Sequence, residues 1–472
     1  MTTYAADSSR IATPGIQRGE ILHAQRCAAD SSQHYDLYLP SYYTPDKRWP
    51  ILFVFDPGAR GSVPVALMKP AAEHYGYLLA ASDNSRNGPM KQGVDAAQAM
   101  WTDTHRRLSI DDGRAYFAGF SGGARFAAAL AQGCKCAKAV FLNGAGFPTT
   151  SSPSKDELFA LFLTVGTTDF NYAEMLTLND ALGEMGRTHL LRRFEGPHQW
   201  APGEVWEEAL AWAELLAMNE GARSRDSSLV ARELVATLKR ADTLEQSGSG
   251  AWALQYLRSV RPLFHGLTDT KVIDERLALL ETDEAVKIVE KKEQRDIEEQ
   301  KRLESKVLVT IERARNPNRA VQASGQDSPS AYELRRDAHR AVVQLRENAG
   351  DEEDAGKRRL YERALAGIFA YLMESGQTAL EQNDCRDAQM VFDLATEAKP
   401  GAAWPHVLLA RCLARSGDRE GTLKALGEAR RLGLSAQDLA GVTKQVAEFS
   451  SLSGDPEFQK LLTEDSSLHP GE

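Results

Sequence analysis

A chain of 472 residues is long enough for two or three domains of ordinary size. Hydrophobic residues make up 42% of the chain and charged residues 26%, as in globular proteins with a sizeable core. The net charge of -10 excludes nucleic acid as a main partner, because phosphate binding needs a dense basic face.

The N-terminal segment, residues 1–17, is polar and contains no apolar stretch of the kind found in signal peptides. No apolar run in the chain is long enough to span a membrane. We therefore expect a cytoplasmic protein by default, or a periplasmic or secreted one if a signal peptide has been removed.

The first half of the chain alternates between apolar runs typical of strands and stretches compatible with helices. The clearest run, Trp49–Phe55, is closed by Asp56, Pro57 and Gly58, which fits a strand buried on both faces of a parallel sheet. Further strands are predicted at residues 35–39, 77–81, 115–119, 139–142, 158–165 and 189–194, and helices at residues 94–108, 122–131 and 172–185. This alternation predicts right-handed β-α-β crossovers and a mostly parallel sheet with helices on both faces.

The second half of the chain has a different character. After Trp212 the strand-like runs end, and Ala, Leu, Glu and Arg dominate. Breaks at residues 245–250 and 323–330 flank a long charged helix candidate at residues 284–315. Its apolar residues form an interrupted stripe that lacks the regular heptad spacing of a coiled coil. This pattern predicts a solvated or partly docked helix rather than a coiled coil.

A repeat is present in the last hundred residues. Small and bulky apolar positions recur at an offset of 34 residues, so that Ala388, Phe392 and Ala395 correspond to Thr422, Leu426 and Ala429. This pattern resembles the tetratricopeptide (TPR) repeat over about two units, with a partial match. The resemblance implies an all-α region of helical hairpins that binds a protein or peptide partner or mediates self-association.

The five cysteines are an odd, sparse set that does not form a disulfide framework. Cys134 and Cys136 form a C-x-C pair with no second Cys or His pair nearby in the sequence. This spacing favours buried or idle thiols over a metal or redox site.

The motif with the clearest chemistry is Gly119-Phe120-Ser121-Gly122-Gly123, which follows a predicted strand and opens an alanine-rich helix. This is the strand–turn–helix context of a nucleophile elbow, whose glycines allow close backbone approach at a sharp turn. The helix N-terminus favours the negative charge that develops beside the serine. The alternative is a glycine-rich turn that binds phosphate or has no ligand. We predict that Ser121 is a nucleophile.

A serine nucleophile needs a base, and in such elbows the acid and then the histidine follow the serine in chain order. Only His189 and His198 lie between Ser121 and the helical half. His189 lies inside an apolar, strand-like run, whereas His198 lies in a turn directly after the last predicted strand. We predict that His198 is the base, with an ordinary surface histidine as the alternative.

For the acid, Asp169 lies just beyond a predicted strand end, where a carboxylate can orient the imidazole. The alternative is that Asp169 caps the helix beginning near Tyr172, a role that Asn171 would also fill. We predict that Asp169 completes a triad with Ser121 and His198.

The oxyanion hole needs two N–H donors. The first is predicted to be the backbone N–H of Gly122, directly after the nucleophile. The second is predicted from the loop after the Trp49–Phe55 strand. Because Pro57 has no N–H, that donor is expected to be Gly58 or Ala59.

Together, these motifs make the first 215 or so residues resemble the α/β-hydrolase family, near predicted esterases related to dienelactone hydrolases and polyhydroxybutyrate depolymerases. Many relatives have His-Gly where this chain has Asp56-Pro57. The resemblance implies hydrolysis of an ester, thioester or amide through an acyl-enzyme, with no metal or organic cofactor. The short connection at residues 145–157 leaves no room for a cap domain, and the polar loop at residues 82–89 is expected to line the entrance.

The sequence thus predicts an α/β-hydrolase domain at residues 1–220, a helical region at 221–345 and a TPR-like region at 346–472. The expected function is hydrolysis of a small-molecule carboxylic ester or thioester by a Ser-Asp-His triad. A peptidase of the same fold is one alternative. The other is a non-catalytic scaffold that binds proteins through the helical half.

Overall fold

The computed structural model describes residues 15–317 and 330–463, and the chain divides into two compact units between Arg295 and Asp296. Most of the N-terminal segment and of the predicted break at 323–330 lies outside the described residues. The division falls at 295/296, whereas the sequence predicted boundaries near 220 and 345. Residues beyond 220 belong to the first unit because Leu229, Leu254 and Phe264 are buried in the same apolar core as the sheet.

The first unit is built on an eight-stranded sheet. Its order is β1-β2-β4-β3-β5-β6-β7-β8, with antiparallel pairing of β2 to β1 and β4 and parallel pairing elsewhere. The strands are β1 (Ile21–Arg26), β2 (His34–Tyr38), β3 (Trp49–Phe55), β4 (Leu78–Ser82), β5 (Ile110–Phe120), β6 (Ala139–Asn143), β7 (Ala160–Gly166) and β8 (His189–Phe194). The predicted mostly parallel sheet is confirmed, and this strand order is that of the α/β-hydrolase fold.

Helices alternate with the later strands, in the general order that the sequence predicted, and consecutive helices follow the last strand. They are α1 (Ser62–Tyr75), α2 (Met90–Arg107), α3 (Gly122–Cys134), α4 (Tyr172–Glu184), α5 (Gly203–Asn219), α6 (Ser227–Gln246), α7 (Gly250–Phe264), α8 (Lys271–Thr282) and α9 (Glu284–Arg315). Every residue of β3 is buried, which is why its sequence is an unbroken apolar run. On one face of the sheet, Trp206 and Trp212 of α5 pack against Phe141.

The second unit is helical throughout its described residues. After the end of α9 it contains α10 (Ala331–Asp351), α11 (Ala355–Glu381), α12 (Cys385–Ala398), α13 (Ala403–Ser416), α14 (Arg419–Arg431), α15 (Ala436–Gln445), a 3₁₀ turn (Ala447–Leu452) and α16 (Pro456–Thr463). An α/β-hydrolase fold followed by an all-helical region therefore agrees with the predicted fold class.

The period of 34 residues recurs in the turns and caps of this unit. Asn383 and Gly417 both adopt left-handed backbone conformations, with φ of 61° and 79°. One residue later, the side chains of Asp384 and Asp418 cap α12 and α14 by accepting a backbone N–H three residues on. Two helix–turn–helix segments are thus built alike, while their membership of the TPR class stays a prediction.

The structure corrects the expectation of idle thiols at the C-x-C pair, because it bonds Cys134 to Cys136. Lys135 between them has a φ of 55°, and this turn brings the two Cα atoms to 5.2 Å. Of the helices in the described ranges, none combines the length and the apolar character needed to cross a membrane.

Candidate active site

The turn between β5 and α3 places Ser121 at a position that only a glycine-flanked residue can occupy. Ser121 has a φ of 53° and a ψ of -121°, a backbone conformation that is strained for a non-glycine residue. A Cβ on Gly119 would lie 2.1 Å from the carbonyl oxygen of Gly123, and one on Gly123 would lie 2.0 Å from that of Phe55. Both glycines are therefore required by backbone contacts, as the elbow prediction implies.

Ser121, His198 and Asp169 form a continuous chain of hydrogen bonds. Nε2 of His198 lies 2.8 Å from Oγ of Ser121, and Nδ1 lies 2.9 Å from Oδ1 of Asp169. An ionised carboxylate only accepts hydrogen bonds, so Nδ1 carries the proton and Nε2 faces the serine hydroxyl with its lone pair. The structure thus brings together the three residues predicted for the triad.

The carboxylate of Asp169 is fully buried at the end of β7. Its Oδ1 also accepts the backbone N–H of Asn171, while its Oδ2 has no hydrogen-bond partner among the described residues. A Cβ on Gly144 would lie 2.9 Å from that Oδ2 and 3.2 Å from the His198 ring, so a glycine leaves room for both groups. Asn171 is the residue before α4, but its side chain donates to the carbonyl of Gly144 instead of capping the helix.

Aromatic rings hold the His198 imidazole in place. Phe170 and Phe120 lie against it, with ring centroids 4.1 and 4.6 Å away. Phe120 also contacts the indole of Trp200 at 5.6 Å, and the indole N–H donates to Oδ2 of Asp56 at 2.9 Å. His198 and the loop after β3 therefore share one packed cluster.

The loop after β3 differs from the prediction for the second oxyanion donor. The N–H of Gly58 donates to Oδ1 of Asp56 at 2.8 Å, and the N–H of Ala59 donates to the carbonyl of Asp56 at 3.0 Å. Both groups predicted as donors are thus used inside the loop by Asp56. Gly122, in contrast, is the first residue of α3, where a backbone N–H has no acceptor within the helix.

The connection between β6 and β7, residues 144–159, contains no helix, in agreement with the absence of a cap at this point. Arg125 of α3 holds the start of this connection by donating a hydrogen bond to the carbonyl of Phe147. It also forms two hydrogen bonds with the carboxylate of Glu174. Glu174 in turn accepts the N–H of Gly146. Arg125 and Glu174 therefore link α3 and α4 to the connection that follows β6.

His189, the other histidine considered as a base, lies outside this arrangement. Its ring is buried within β8, its Nδ1 donates to the carbonyl of Arg187, and burial lowers its pKa. Sequence reasoning missed the role of Asp56, because its side chain meets the indole of Trp200 only in the fold.

Within residues 15–317 and 330–463, no three His, Cys, Asp or Glu side chains cluster as a metal site would require.

Comparisons with known proteins give likenesses of fold. No protein-family model matches the sequence, and no curated protein matches it significantly. Among solved structures, FphF, a fluorophosphonate-binding serine hydrolase of Staphylococcus aureus, is 15% identical, with a TM-score of 0.32 over 38% of this chain and 92% of its own. An esterase of Pyrobaculum calidifontis is 14% identical, with a TM-score of 0.35 over 43% and 86% of the two chains. The esterase Est2 of Thermogutta terrifontis is 16% identical, with a TM-score of 0.33 over 43% and 93%.

Proposed function

We propose that the first unit hydrolyses carboxylic esters or thioesters through an acyl-enzyme formed on Ser121. The observation that carries the proposal is the hydrogen-bonded chain from Ser121 through His198 to the buried carboxylate of Asp169. This order of nucleophile, base and orienting acid is what acyl transfer needs, because a serine hydroxyl is a weak nucleophile until a base removes its proton.

In the first half-reaction, Oγ of Ser121 bonds to the carbonyl carbon while its proton passes to Nε2 of His198. The carbonyl π electrons move to the oxygen, and the N–H of Gly122 donates to this oxyanion. The oxyanion then reforms the carbonyl, the bond to the leaving group breaks, and Nε2 gives its proton to the departing alkoxide or thiolate. Asp169 stabilises the imidazolium between these two transfers without taking the proton itself.

In the second half-reaction, a water molecule takes the place of the departed group. Its proton passes to Nε2 of His198 as its oxygen bonds to the acyl carbon. The second tetrahedral intermediate breaks the bond to Oγ, and Nε2 returns the proton to Ser121. The carboxylic acid is released, and the enzyme is restored.

Labelling with a fluorophosphonate probe tests the nucleophile. The wild type and Ser152→Ala, which changes an exposed serine on the β6–β7 connection, are expected to label equally, and Ser121→Ala is expected not to label. Equal labelling of the wild type and Ser121→Ala would refute the role of Ser121.

Turnover of short p-nitrophenyl esters tests the reaction. Ser121→Ala is expected to lower kcat by about 10⁴ to 10⁶, and Asp169→Asn by about 10⁴, because the carboxamide favours the wrong imidazole tautomer. Aminoacyl p-nitroanilides measured in parallel separate ester from amide hydrolysis. Faster turnover of the anilides would replace the esterase assignment with a peptidase.

A further inference from the structure

The proposed reaction calls for a second donor to the oxyanion, and the two N–H groups predicted for that role in the loop after β3 are hydrogen-bonded within the loop in this structure. Pro57 lacks an N–H, and Asp56 accepts those of Gly58 and Ala59. The N–H of Gly122 alone would leave the developing charge with one hydrogen bond. A second polar hydrogen beside Gly122 would supply the missing hydrogen bond.

The carboxamide of Asn87 lies against Gly122. A Cβ on Gly122 would lie 1.8 Å from Oδ1 of Asn87, 2.7 Å from its Cγ and 3.1 Å from its Nδ2. The carboxamide thus occupies the space of a side chain on the same Cα whose N–H is the first donor. It makes no hydrogen bond to any residue in the described part of the chain, and a half-turn about its last bond exchanges the oxygen and the NH₂ group.

The backbone that presents this carboxamide is held in place, although the side chain is exposed. The N–H of Asn87 donates to the carbonyl of Pro57 at 2.9 Å, and Arg86 pairs with Gly58 in an antiparallel bridge. Gly58 is itself held by Asp56, whose side chain accepts the N–H of Gly58. The anchored backbone limits the reorganisation of this donor to rotation of its side chain, and little reorganisation is the condition for effective stabilisation of an oxyanion.

We propose that the NH₂ group of Asn87 is the second oxyanion donor, acting beside the N–H of Gly122. The assignment rests on the proposed function, since an oxyanion forms only if Ser121 attacks a carbonyl. It also gives a reason for glycine at position 122, because any side chain there would displace the carboxamide.

Steady-state kinetics of Asn87→Ala test the donor. Removing one oxyanion donor typically lowers kcat by about 10²- to 10³-fold, and we expect that loss with KM little changed, because the hydrogen bond is made in the transition state. Asn87→Asp keeps the shape but replaces the donor by a negative charge, so its kcat is expected to fall at least as far. Gln92→Ala is the matched control, since it removes another exposed carboxamide from the first turn of α2, close in sequence to Asn87. It is expected to behave as the wild type.

An oxygen ester and the thiono ester of the same structure differ only in whether the atom that accepts the hydrogen bond is oxygen or sulfur. The ratio of their turnover rates reports on hydrogen bonding to that atom, and a purely structural role of Asn87 would not change it. Sulfur in a thiono ester accepts hydrogen bonds weakly, so the wild type is expected to favour the oxygen ester strongly. That preference is expected to shrink in Asn87→Ala and to persist in Gln92→Ala.

The outcomes separate this inference from the proposed function. A wild type without Ser121-dependent turnover would refute both. Ser121-dependent turnover with an unchanged kcat in Asn87→Ala, a change in KM alone, or a lower kcat with an undiminished oxygen preference would each overturn the assignment of Asn87 and leave Ser121 in place.

Discussion

Substitution of Asp56 tests whether one buried carboxylate organises the loop beside the candidate active site. Its two oxygens accept hydrogen bonds from three residues: the N–H of Gly58, the guanidinium of Arg60 and the indole N–H of Trp200. Of these donors the indole N–H is buried, whereas Gly58 and Arg60 reach solvent. The cost of a substitution therefore depends mainly on what becomes of Trp200.

Asp56→Ala leaves the indole N–H without an acceptor, and an unsatisfied buried donor costs about 1 to 3 kcal/mol. The lost bond to Gly58 adds about 1 kcal/mol, so the free energy of unfolding is expected to fall by about 2 to 4 kcal/mol. Asp56→Asn can turn its single oxygen towards Trp200 and give up only the more exposed bonds, for a loss of about 1 kcal/mol. Arg60→Ala is expected to cost less than about 1 kcal/mol, because the guanidinium is largely exposed.

Urea unfolding followed by tryptophan fluorescence measures these differences. Six of the seven tryptophans precede residue 296, so the signal reports mainly on the first unit. A double-mutant cycle with Trp200→Phe isolates the indole, since the cost of Asp56→Ala is expected to shrink by about 1 to 3 kcal/mol when the buried donor is absent. Equal unfolding midpoints for Asp56→Ala and Arg60→Ala, or an unchanged cost in the Trp200→Phe background, would refute the reasoning.

The sheet was largely predictable because its strands are buried on both faces. Trp49–Phe55 and His189–Phe194 were predicted with the bounds that the structure has, and the other predicted strands match to within two residues at each end, except that β5 begins five residues before its predicted start. β1 was missed because this antiparallel edge strand has no buried residue and carries no apolar run. Helix α1 was missed because a proline inside it and a weakly amphipathic sequence hide its period.

The residues predicted for the triad were found from local signals, since each lies in a turn directly after a strand, and parallel strands end at one edge of the sheet. The donors proposed for the oxyanion hole have no such signal. The sequence shows that Pro57 lacks an N–H, but it does not show that Asp56 turns back onto Gly58. Nor does it show that Asn87 crosses to Gly122, because this contact joins two loops whose pairing exists only in the fold.

Two further predictions concern the packing of the second unit and the pH dependence of the first. Gly376→Ala is expected to lower the free energy of unfolding of the second unit by about 1 to 3 kcal/mol, because the new Cβ would lie 2.4 Å from the buried ring of Phe392. Gly427 is a helical glycine with open space around it, so Gly427→Ala should be neutral or stabilising by up to about 1 kcal/mol. Far-UV circular dichroism during urea unfolding compares the two variants, and equal effects would contradict the packing argument. For Asp83, burial and then the nearby Asp36 carboxylate raise the pKa to about 6. The folded state therefore binds more protons than the unfolded state between about pH 4 and pH 6. As a result, the free energy of unfolding falls as pH rises through that window. Asp83→Asn keeps an oxygen for the N–H of Gly61 without the charge, and it is expected to be about 1 to 2 kcal/mol more stable than the wild type at pH 7.5, after allowing for the partial exposure of the carboxyl group, and equal to it near pH 4. The raised pKa means that the charge of Asp83 destabilises the fold at about pH 7.5. A higher urea midpoint for the wild type than for Asp83→Asn at that pH would contradict this argument.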